Sequence, residues 1–153
     1  MKLFHRQYGN GKPVVILHGL FGMSDNWVTI GKKLAEHNYS VFIPDQRNHG
    51  NSPHSSKFNF NLLCKDLKEF LEQNQIEKPL IIGHSMGGKV AMLFALNYPE
   101  NVEKLIVVDM GVKKYPVPNE ILIDALFAKS LGNFKSRKEI EDYLTEKIHD
   151  LGI

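Results

Sequence analysis

Cysteine is nearly absent from this chain of 153 residues, in which Cys64 stands alone. A single thiol excludes an internal disulfide framework and any metal site built from several cysteines. Cys64 falls within a stretch of helical pattern, so we expect a small buried apolar side chain there rather than a reactive thiol. The cysteine content therefore favours neither redox chemistry nor a structural metal.

Long apolar runs are missing as well. No stretch approaches the ~18 consecutive apolar residues that cross a bilayer, so the sequence predicts no transmembrane segment. The first residues, Met1–Arg6, lack the apolar run of a secretory signal peptide. We therefore expect a soluble, cytoplasmic protein.

Charge of one sign is not concentrated anywhere in the chain. Lysine and arginine total 19, aspartate and glutamate total 17, and the net charge is +2. Because the two signs are interspersed, the sequence lacks the basic patch expected of a nucleic-acid or membrane-surface binder. The apolar fraction of 42% is that of an ordinary globular protein, so a small-molecule partner has to be inferred from the motifs.

Short apolar runs alternate with longer helical patterns along the first two thirds of the chain. Four runs predict buried strands: Val14–Leu17, Ser40–Ile43, Leu80–Ile82 and Leu105–Val108. Between them, apolar residues recur at helical spacing within Trp27–Ala35, Leu62–Leu71 and Val90–Tyr98. Strands that are apolar on both faces and are separated by helices indicate a parallel sheet covered on both sides. Right-handed crossovers then bring the carboxyl ends of the strands to one edge, where such folds bind ligands.

The pattern changes after Val108. Pro116 and Pro118 interrupt the chain, and two helical segments follow over Asn119–Leu131 and Ser136–His149 without a strand between them. We therefore predict a division into residues 1–112 and residues 113–153.

The strongest functional motif is Gly-His-Ser-Met-Gly-Gly, residues 83–88. It follows a predicted strand directly and opens a predicted helix, which is the context that a nucleophile elbow requires. Such a turn holds Ser85 in a strained backbone conformation at a cost of ~1–3 kcal/mol. It also presents the hydroxyl at the positive end of a helix dipole. The alternative is a serine in a glycine-rich turn that carries no chemistry.

A second motif, His18-Gly-Leu-Phe-Gly22, also follows a strand directly. Acyl transfer develops a negatively charged oxygen, which backbone N–H groups can stabilise. We expect the N–H of Met86 as one donor and that of Leu20, or else Phe21, as the other. His18 is interpreted as a structural hydrogen-bonding residue rather than a general base. Taken alone, the motif would be no more than a glycine-rich turn between a strand and a helix.

Together with Asp-Gln-Arg-Asn-His-Gly-Asn-Ser-Pro-His at residues 45–54 and Val-Val-Asp at 107–109, these motifs resemble the α/β-hydrolase superfamily. Within it, they resemble the abhydrolase-11-like branch, which includes small bacterial esterases that act on acyl esters and thioesters. The resemblance implies a mostly parallel sheet with helices on both faces over residues 1–112. It implies the start of a helical cap over residues 113–153, and no metal or organic cofactor.

The resemblance also implies residue roles. Ser85 would be the nucleophile, and Asp109, at the end of the fourth predicted strand, would be the acid that orients a histidine. Asp109 could instead cap the following loop, since many members place the acid one strand later. Asp45 and Arg47 are expected to brace their loop by hydrogen bonds rather than to act in catalysis.

Four apolar side chains are candidates for an acyl pocket, with core or rim packing as the alternative for each. They are Phe21, Trp27, Met86 and Met110.

The base histidine of the family follows a strand beyond the cap, and no histidine of this chain occupies such a position. His84 adjoins the serine but should point away from its hydroxyl, and His149 lies near the end of a predicted helix. His49 and His54, at the predicted catalytic edge, are the alternatives. We therefore expect a chain truncated within the cap, with little or no turnover.

Truncation would leave Leu105–Val108 as a bare apolar edge of the sheet, so we expect self-association or pairing with a complementing chain there. Two functions remain open at this point. One is a serine hydrolase of esters or thioesters, and the other is a non-catalytic or partner-dependent module. Dehalogenase and epoxide hydrolase chemistry is disfavoured, because those enzymes place aspartate at the elbow.

Overall fold

The computed structural model describes residues 1–112 and 134–147. Within them, five strands form one sheet in the order β1-β3-β2-β4-β5, and β2 to β5 run parallel. The strands are β1 His5–Tyr8, β2 Lys12–Leu17, β3 Tyr39–Pro44, β4 Leu80–His84 and β5 Lys104–Val108. The four predicted strands and the α/β fold class are confirmed.

Strand β1 was not predicted. It pairs antiparallel with β3, with His5 opposite Pro44 and Tyr8 opposite Val41. Its sequence, His-Arg-Gln-Tyr, holds no apolar run, and none of its residues is fully buried. Pairing with β3 rather than local apolar pattern therefore defines this strand.

The helices alternate with the parallel strands. They are α1 Val28–Ala35, α2 Phe60–Gln73, α3 Met86–Asn97 and α4 Arg137–Lys147, with single 3₁₀ turns at Ser24–Trp27 and Pro99–Asn101. Asn59 caps α2 by accepting a hydrogen bond from the Leu62 N–H at 2.9 Å. Helix α3 begins at Met86, within the motif that was predicted to open it, so it follows Ser85 without a connecting loop.

Two apolar layers cover the sheet. Helices α2 and α3 pack on the face formed by Val15, Leu17, Phe42 and Ile81, and Cys64 is buried among them as predicted. The opposite face, formed by Val14, Ile16, Val41 and Ile43, packs against Trp27 and Leu34.

Helix α1 approaches the sheet through a glycine. Ile30, one of the apolar residues at helical spacing within Trp27–Ala35, does not face the sheet core, because its side chain is 43% exposed. Gly31 is the buried residue of α1, and a Cβ atom there would lie 2.9 Å from the Ile43 Cδ1 atom. An apolar-periodicity argument overlooks this contact, since the position has no side chain to count.

The chain separates into two compact units, Met1–Val112 and Lys113–Ile153. In the second unit, Ser136 and Glu139 form the hydrogen bonds that start α4, with the Glu139 N–H donating to the Ser136 hydroxyl at 3.2 Å. The predicted break at Pro116 and Pro118 and the predicted helix over Asn119–Leu131 lie outside the described residues. The assignment of this unit to a helical cap stays a prediction.

Strand β5 lies at one end of the sheet among the described strands. Leu105 and Val107 are half-buried, whereas Ile106 is 45% and Val108 36% exposed. The α-helices that the structure describes include none long and apolar enough to cross a bilayer.

Candidate active site

The turn between β4 and α3 holds Ser85 in a strained conformation. Its φ of 49° and ψ of −115° lie where L-residues rarely fall, so the predicted strain is confirmed. A Cβ atom on Gly83 would lie 2.5 Å from the Gly87 carbonyl oxygen, and one on Gly87 would lie 2.4 Å from the Leu17 carbonyl oxygen. Only glycine fits at these two positions, because each contact is with backbone that cannot move aside.

Backbone hydrogen bonds fix both sides of the elbow. The Ser85 N–H donates to the Val108 carbonyl at 3.1 Å, and the Lys89 N–H donates to the Ser85 carbonyl at 3.2 Å. Ser85 therefore belongs to the sheet on one side and to the first turn of α3 on the other. Its side chain is half-buried.

The His18–Gly22 motif forms a turn that touches this elbow. The Gly22 N–H donates to the Gly19 carbonyl at 3.1 Å, and Phe21 has a φ of 62°. A Cβ atom on Gly19 would lie 3.3 Å from the Ser85 Cβ, so the two motifs are in contact. The Met86 N–H, in the first turn of α3, has no partner within the helix. Met86 follows Ser85 in the chain, and Leu20 follows the Gly19 that contacts Ser85. Their role as oxyanion donors stays a prediction.

His18 is held in a buried hydrogen-bond network. It is 0% exposed, its Nδ1 lies 2.8 Å from the Gly19 carbonyl oxygen, and its Nε2 accepts the Gln46 N–H at 3.0 Å. Gln46 in turn donates its side-chain Nε2 to the His18 carbonyl at 2.7 Å. Burial lowers the pKa of His18, although the Gly19 carbonyl opposes that shift. The structural role predicted for His18 is confirmed.

Sequence reasoning missed Gln46, which is 3% exposed. Its side-chain Oε1 has no hydrogen-bond partner among the residues that the structure describes. The only local signal is its place in the polar string after β3, and that string does not single it out.

Asp109 follows β5 directly, as Ser85 follows β4. His84 lies opposite Val108 in the parallel ladder, so the next residue on each strand is one of the two predicted catalytic residues. Asp109 has a φ of 53° and is exposed. The two predicted residues therefore follow neighbouring strand ends, and both have a positive φ.

Asp45 and Arg47 brace their loop, as predicted. The Asp45 carboxylate accepts hydrogen bonds from the Ser24 N–H at 2.6 Å and from the Asn51 N–H at 2.8 Å. Arg47 forms a two-point ion pair with Asp66, and its Nη1 donates to the Lys57 carbonyl at 2.8 Å. The hydrogen bonds with Asp66 raise the pKa of Arg47. Both residues act in structure rather than at the proposed reaction centre.

Within residues 1–112, no imidazole is hydrogen-bonded to Ser85 or Asp109. His49 is 9% exposed, with its Nδ1 2.8 Å from the Arg47 carbonyl oxygen. The His84 ring lies 6.1 Å from the Trp27 ring, centre to centre. His54 is exposed in the same loop as His49. His149 lies outside the described residues.

Two open hollows flank the Leu20–Gly22 turn. One, of about 500 Å³, is lined by His18, Gly19, Leu20, Phe21, Gly22, Asn26, Trp27 and His84. The other, of about 390 Å³, is lined by Leu20, Phe21, Gly22, Met23, Asn48, His49, Gly50 and Phe58. A hollow of about 770 Å³ lies away from Ser85, between residues 68–78 and 100–103. This hollow has the greatest volume of the three, but the other two are lined by the His18–Gly22 motif, and the first also by His84, the neighbour of Ser85.

The predicted pocket residues are distributed between these hollows and the core. Phe21 is 63% exposed and lines both hollows, and Trp27 lines the first. The Met86 side chain is 7% exposed and packs in the core, which leaves only its backbone N–H for the site. Met110 is half-buried, and a Cβ on Gly88 would lie 3.3 Å from its Cβ. No cluster of three His, Cys, Asp or Glu side chains suited to a metal occurs among the described residues.

The chain has relatives among known proteins. A Haemophilus influenzae protein provisionally named an esterase/lipase is 38% identical over 150 residues, which cover 96% of this chain and 52% of that protein. An sn-1-specific diacylglycerol lipase of Danio rerio is 48% identical over 104 residues, which cover 67% of this chain and 33% of the lipase. The solved structure of a marine microorganism esterase matches with a TM-score of 0.90 at 42% identity, over 98% of this chain and 60% of the esterase.

The chain thus spans about half the length of the bacterial relative. The family defined by the α/β-hydrolase fold matches residues 12–136, most of the sequence. With the sheet order, the strained serine turn and these relatives in agreement, the chain belongs to the α/β-hydrolase family.

Proposed function

We propose that this chain carries the nucleophile half of a serine hydrolase that acts on carboxylic esters or acyl thioesters. The observation that carries the proposal is Ser85, held at a φ of 49° between β4 and α3 and in contact with the Gly19 turn. A strained residue at a strand–helix junction costs free energy, and such residues cluster at functional sites. The esterase and lipase names of the relatives support the same reaction class.

The reaction would proceed through an acyl-enzyme. The Ser85 Oγ bonds to the acyl carbon and gives up its proton to a base, while the carbonyl oxygen becomes an anion. The Leu20 and Met86 N–H groups donate to that anion. Collapse of the intermediate breaks the bond to the alcohol or thiol, which leaves with a proton, and water then releases the acid by the same steps. Asp109 is the proposed acid that would orient the base.

The base is the missing part of this scheme. The structure describes no imidazole bonded to Ser85 or Asp109, and His18 and His49 are each committed to backbone carbonyls. We expect slow reaction of the serine with strong electrophiles and little catalytic turnover. The lack of a bonded imidazole among the described residues favours the second candidate function, a non-catalytic or partner-dependent module.

A fluorophosphonate probe tests the nucleophile. The expected result is stoichiometric labelling of Ser85, located by peptide mass spectrometry and absent from Ser85→Ala. Ser56→Ala, which alters an exposed loop serine, is the matched control and should label like the parent chain. If the parent chain labels no faster than Ser85→Ala, the activated nucleophile is wrong and the chain is an inert module.

Among the described strands, β5 forms one edge of the sheet, and this edge is where a second chain would pair. An edge strand presents unpaired backbone groups, and here Ile106 and Val108 add exposed apolar side chains. Sedimentation over a concentration series should show association of the parent chain, and Ile106→Lys should weaken it. A single monodisperse monomer at all concentrations would count against pairing at this edge.

A further inference from the structure

The orientation of the Gly19–Leu20 peptide unit determines where the Leu20 N–H points. A trans peptide is planar, so its C=O and N–H point in opposite directions. The direction of the Leu20 N–H is therefore set by whatever holds the Gly19 carbonyl. That carbonyl lies 2.8 Å from the His18 Nδ1 and accepts the Gly22 N–H at 3.1 Å.

The protonation of His18 is fixed by its other nitrogen. The Gln46 backbone N–H can only donate, so the Nε2 that it contacts at 3.0 Å must be an unprotonated acceptor. In a neutral imidazole the proton then sits on Nδ1, which makes Nδ1 the donor to the Gly19 carbonyl. One backbone N–H thus selects the tautomer that holds the turn.

Gln46 is itself anchored to the strand that precedes the turn. Its side-chain Nε2 donates to the His18 carbonyl at 2.7 Å. That carbonyl also borders the elbow, since a Cβ on Gly87 would lie 2.7 Å from it. Pro44, the last residue of β3, has no N–H to donate. The two hydrogen bonds between Gln46 and His18 therefore connect the chain just after β3 to the chain just after β2.

We propose that Gln46 and His18 are positioning residues, which aim the Leu20 N–H at the acyl oxygen by locking His18 as the Nδ1–H tautomer. The inference rests on the proposed function for its catalytic meaning, but the hydrogen-bond geometry can be tested without activity. If His18 and Gln46 had only a structural role, they would need to fill their buried space but not to orient the Leu20 N–H.

Three variants and one control separate these roles. His18→Leu removes both ring hydrogen bonds, whereas His18→Asn keeps a donor near the Nδ1 position. Gln46→Met removes the side-chain bond but keeps the backbone N–H. His37→Asn is the control, because the His37 Nδ1 also lies 2.8 Å from a backbone carbonyl, that of Lys33, but on an exposed helix end outside the site.

Nuclear magnetic resonance of the full chain gives the readout that needs no turnover. Long-range nitrogen–proton spectra should show His18 protonated on Nδ1 alone, and the residual dipolar coupling of the Leu20 N–H should change in His18→Leu but not in His37→Asn. An Nε2–H tautomer in the parent chain overturns the proposal, as does an unchanged Leu20 coupling in a folded His18→Leu. If His18→Leu does not fold, the parent tautomer and the Leu20 coupling in Gln46→Met decide.

Fluorophosphonate kinetics supply the catalytic readout. The first-order labelling step of Ser85 should fall by about 100-fold in His18→Leu, with probe binding unchanged, because a small misplacement of a donor is costly. His18→Asn should lose less, and His37→Asn nothing. An unchanged labelling step in folded His18→Leu overturns the positioning role. Failure of the parent chain to label at all overturns the nucleophile instead, and the Leu20 coupling then still tests the geometry.

Discussion

Two neighbouring turns at the proposed active edge, one after β4 and one after β5, have similar positive φ values but different surroundings. Ser85 and Asp109 both have φ near 50°. The Ser85 turn contacts the Gly19 turn and packs through Gly87 against the backbone of β2, whereas Asp109 is exposed beside the outermost described strand. The comparison indicates that residues 1–112 form close packing around the proposed nucleophile, whereas the proposed acid has no such packing among the described residues.

The largest expected difference in the free energy of unfolding is between substitution of buried, ion-paired Asp66 and substitution of exposed Asp109. Asp66→Asn removes the partner of buried Arg47, whose side chain is 8% exposed, and should lower the free energy of unfolding by about 4 kcal/mol. Asp109→Asn should change it by no more than about 0.5 kcal/mol, because the side chain is exposed. Urea titration measures both, and a costly Asp109→Asn would show that the open turn is braced after all.

The enclosure of Ser85 can be disturbed without touching the serine. Gly87→Ala places a Cβ 2.4 Å from the Leu17 carbonyl oxygen and should cost about 2 kcal/mol through backbone displacement. Gly88→Ala meets its nearest atom at 3.0 Å, so the loss should be smaller. Thermal unfolding with fluorophosphonate labelling measures both effects. If Gly87→Ala and Gly88→Ala lost stability and labelling equally, close backbone contact at Gly87 would not explain the strained turn.

The smallest expected effect is on the pH dependence of stability. Burial lowers the pKa of His18 below its usual 6.5, so between 6.5 and the lowered value the unfolded chain binds a proton that the folded chain does not. The free energy of unfolding should therefore fall as the pH drops through this window. Asp45 opposes the shift, nearby His49 reinforces it, and half-buried His5 contributes in the same direction.

Urea titrations at pH 7 and pH 5 isolate the His18 part of this slope. His18→Asn should lose less stability between the two pH values than the parent chain, and His37→Asn should behave like the parent chain. Equal slopes for His18→Asn and the parent chain would mean that His18 is not the group responsible.

The parts of the fold predicted from sequence were those fixed by local chemistry. Four strands were visible because β-branched runs fit a sheet buried on both faces. The elbow was visible because steric exclusion at Gly83 and Gly87 acts within a few residues. Strand β1 was not visible, since its polar residues gain their place only by pairing with β3.

The candidate site divides in the same way. The sequence pointed to Ser85, and the adjacent placement of Asp109 followed from the strand order. The link between Gln46 and His18 joins residues 28 apart in the chain through single hydrogen bonds, which leave no periodic signal. Gly31 went unnoticed because a residue without a side chain adds nothing to an apolar pattern.

The hydrogen bond from the Ser85 N–H to the Val108 carbonyl makes the serine the final rung between β4 and β5. Fraying of β5, the outermost described strand, would release Ser85 before it disturbed the centre of the sheet. A polypeptide that extended the sheet beyond β5 would suppress that fraying. The rate of hydrogen exchange at the Ser85 amide therefore measures how often the pairing between β4 and β5 opens at this end.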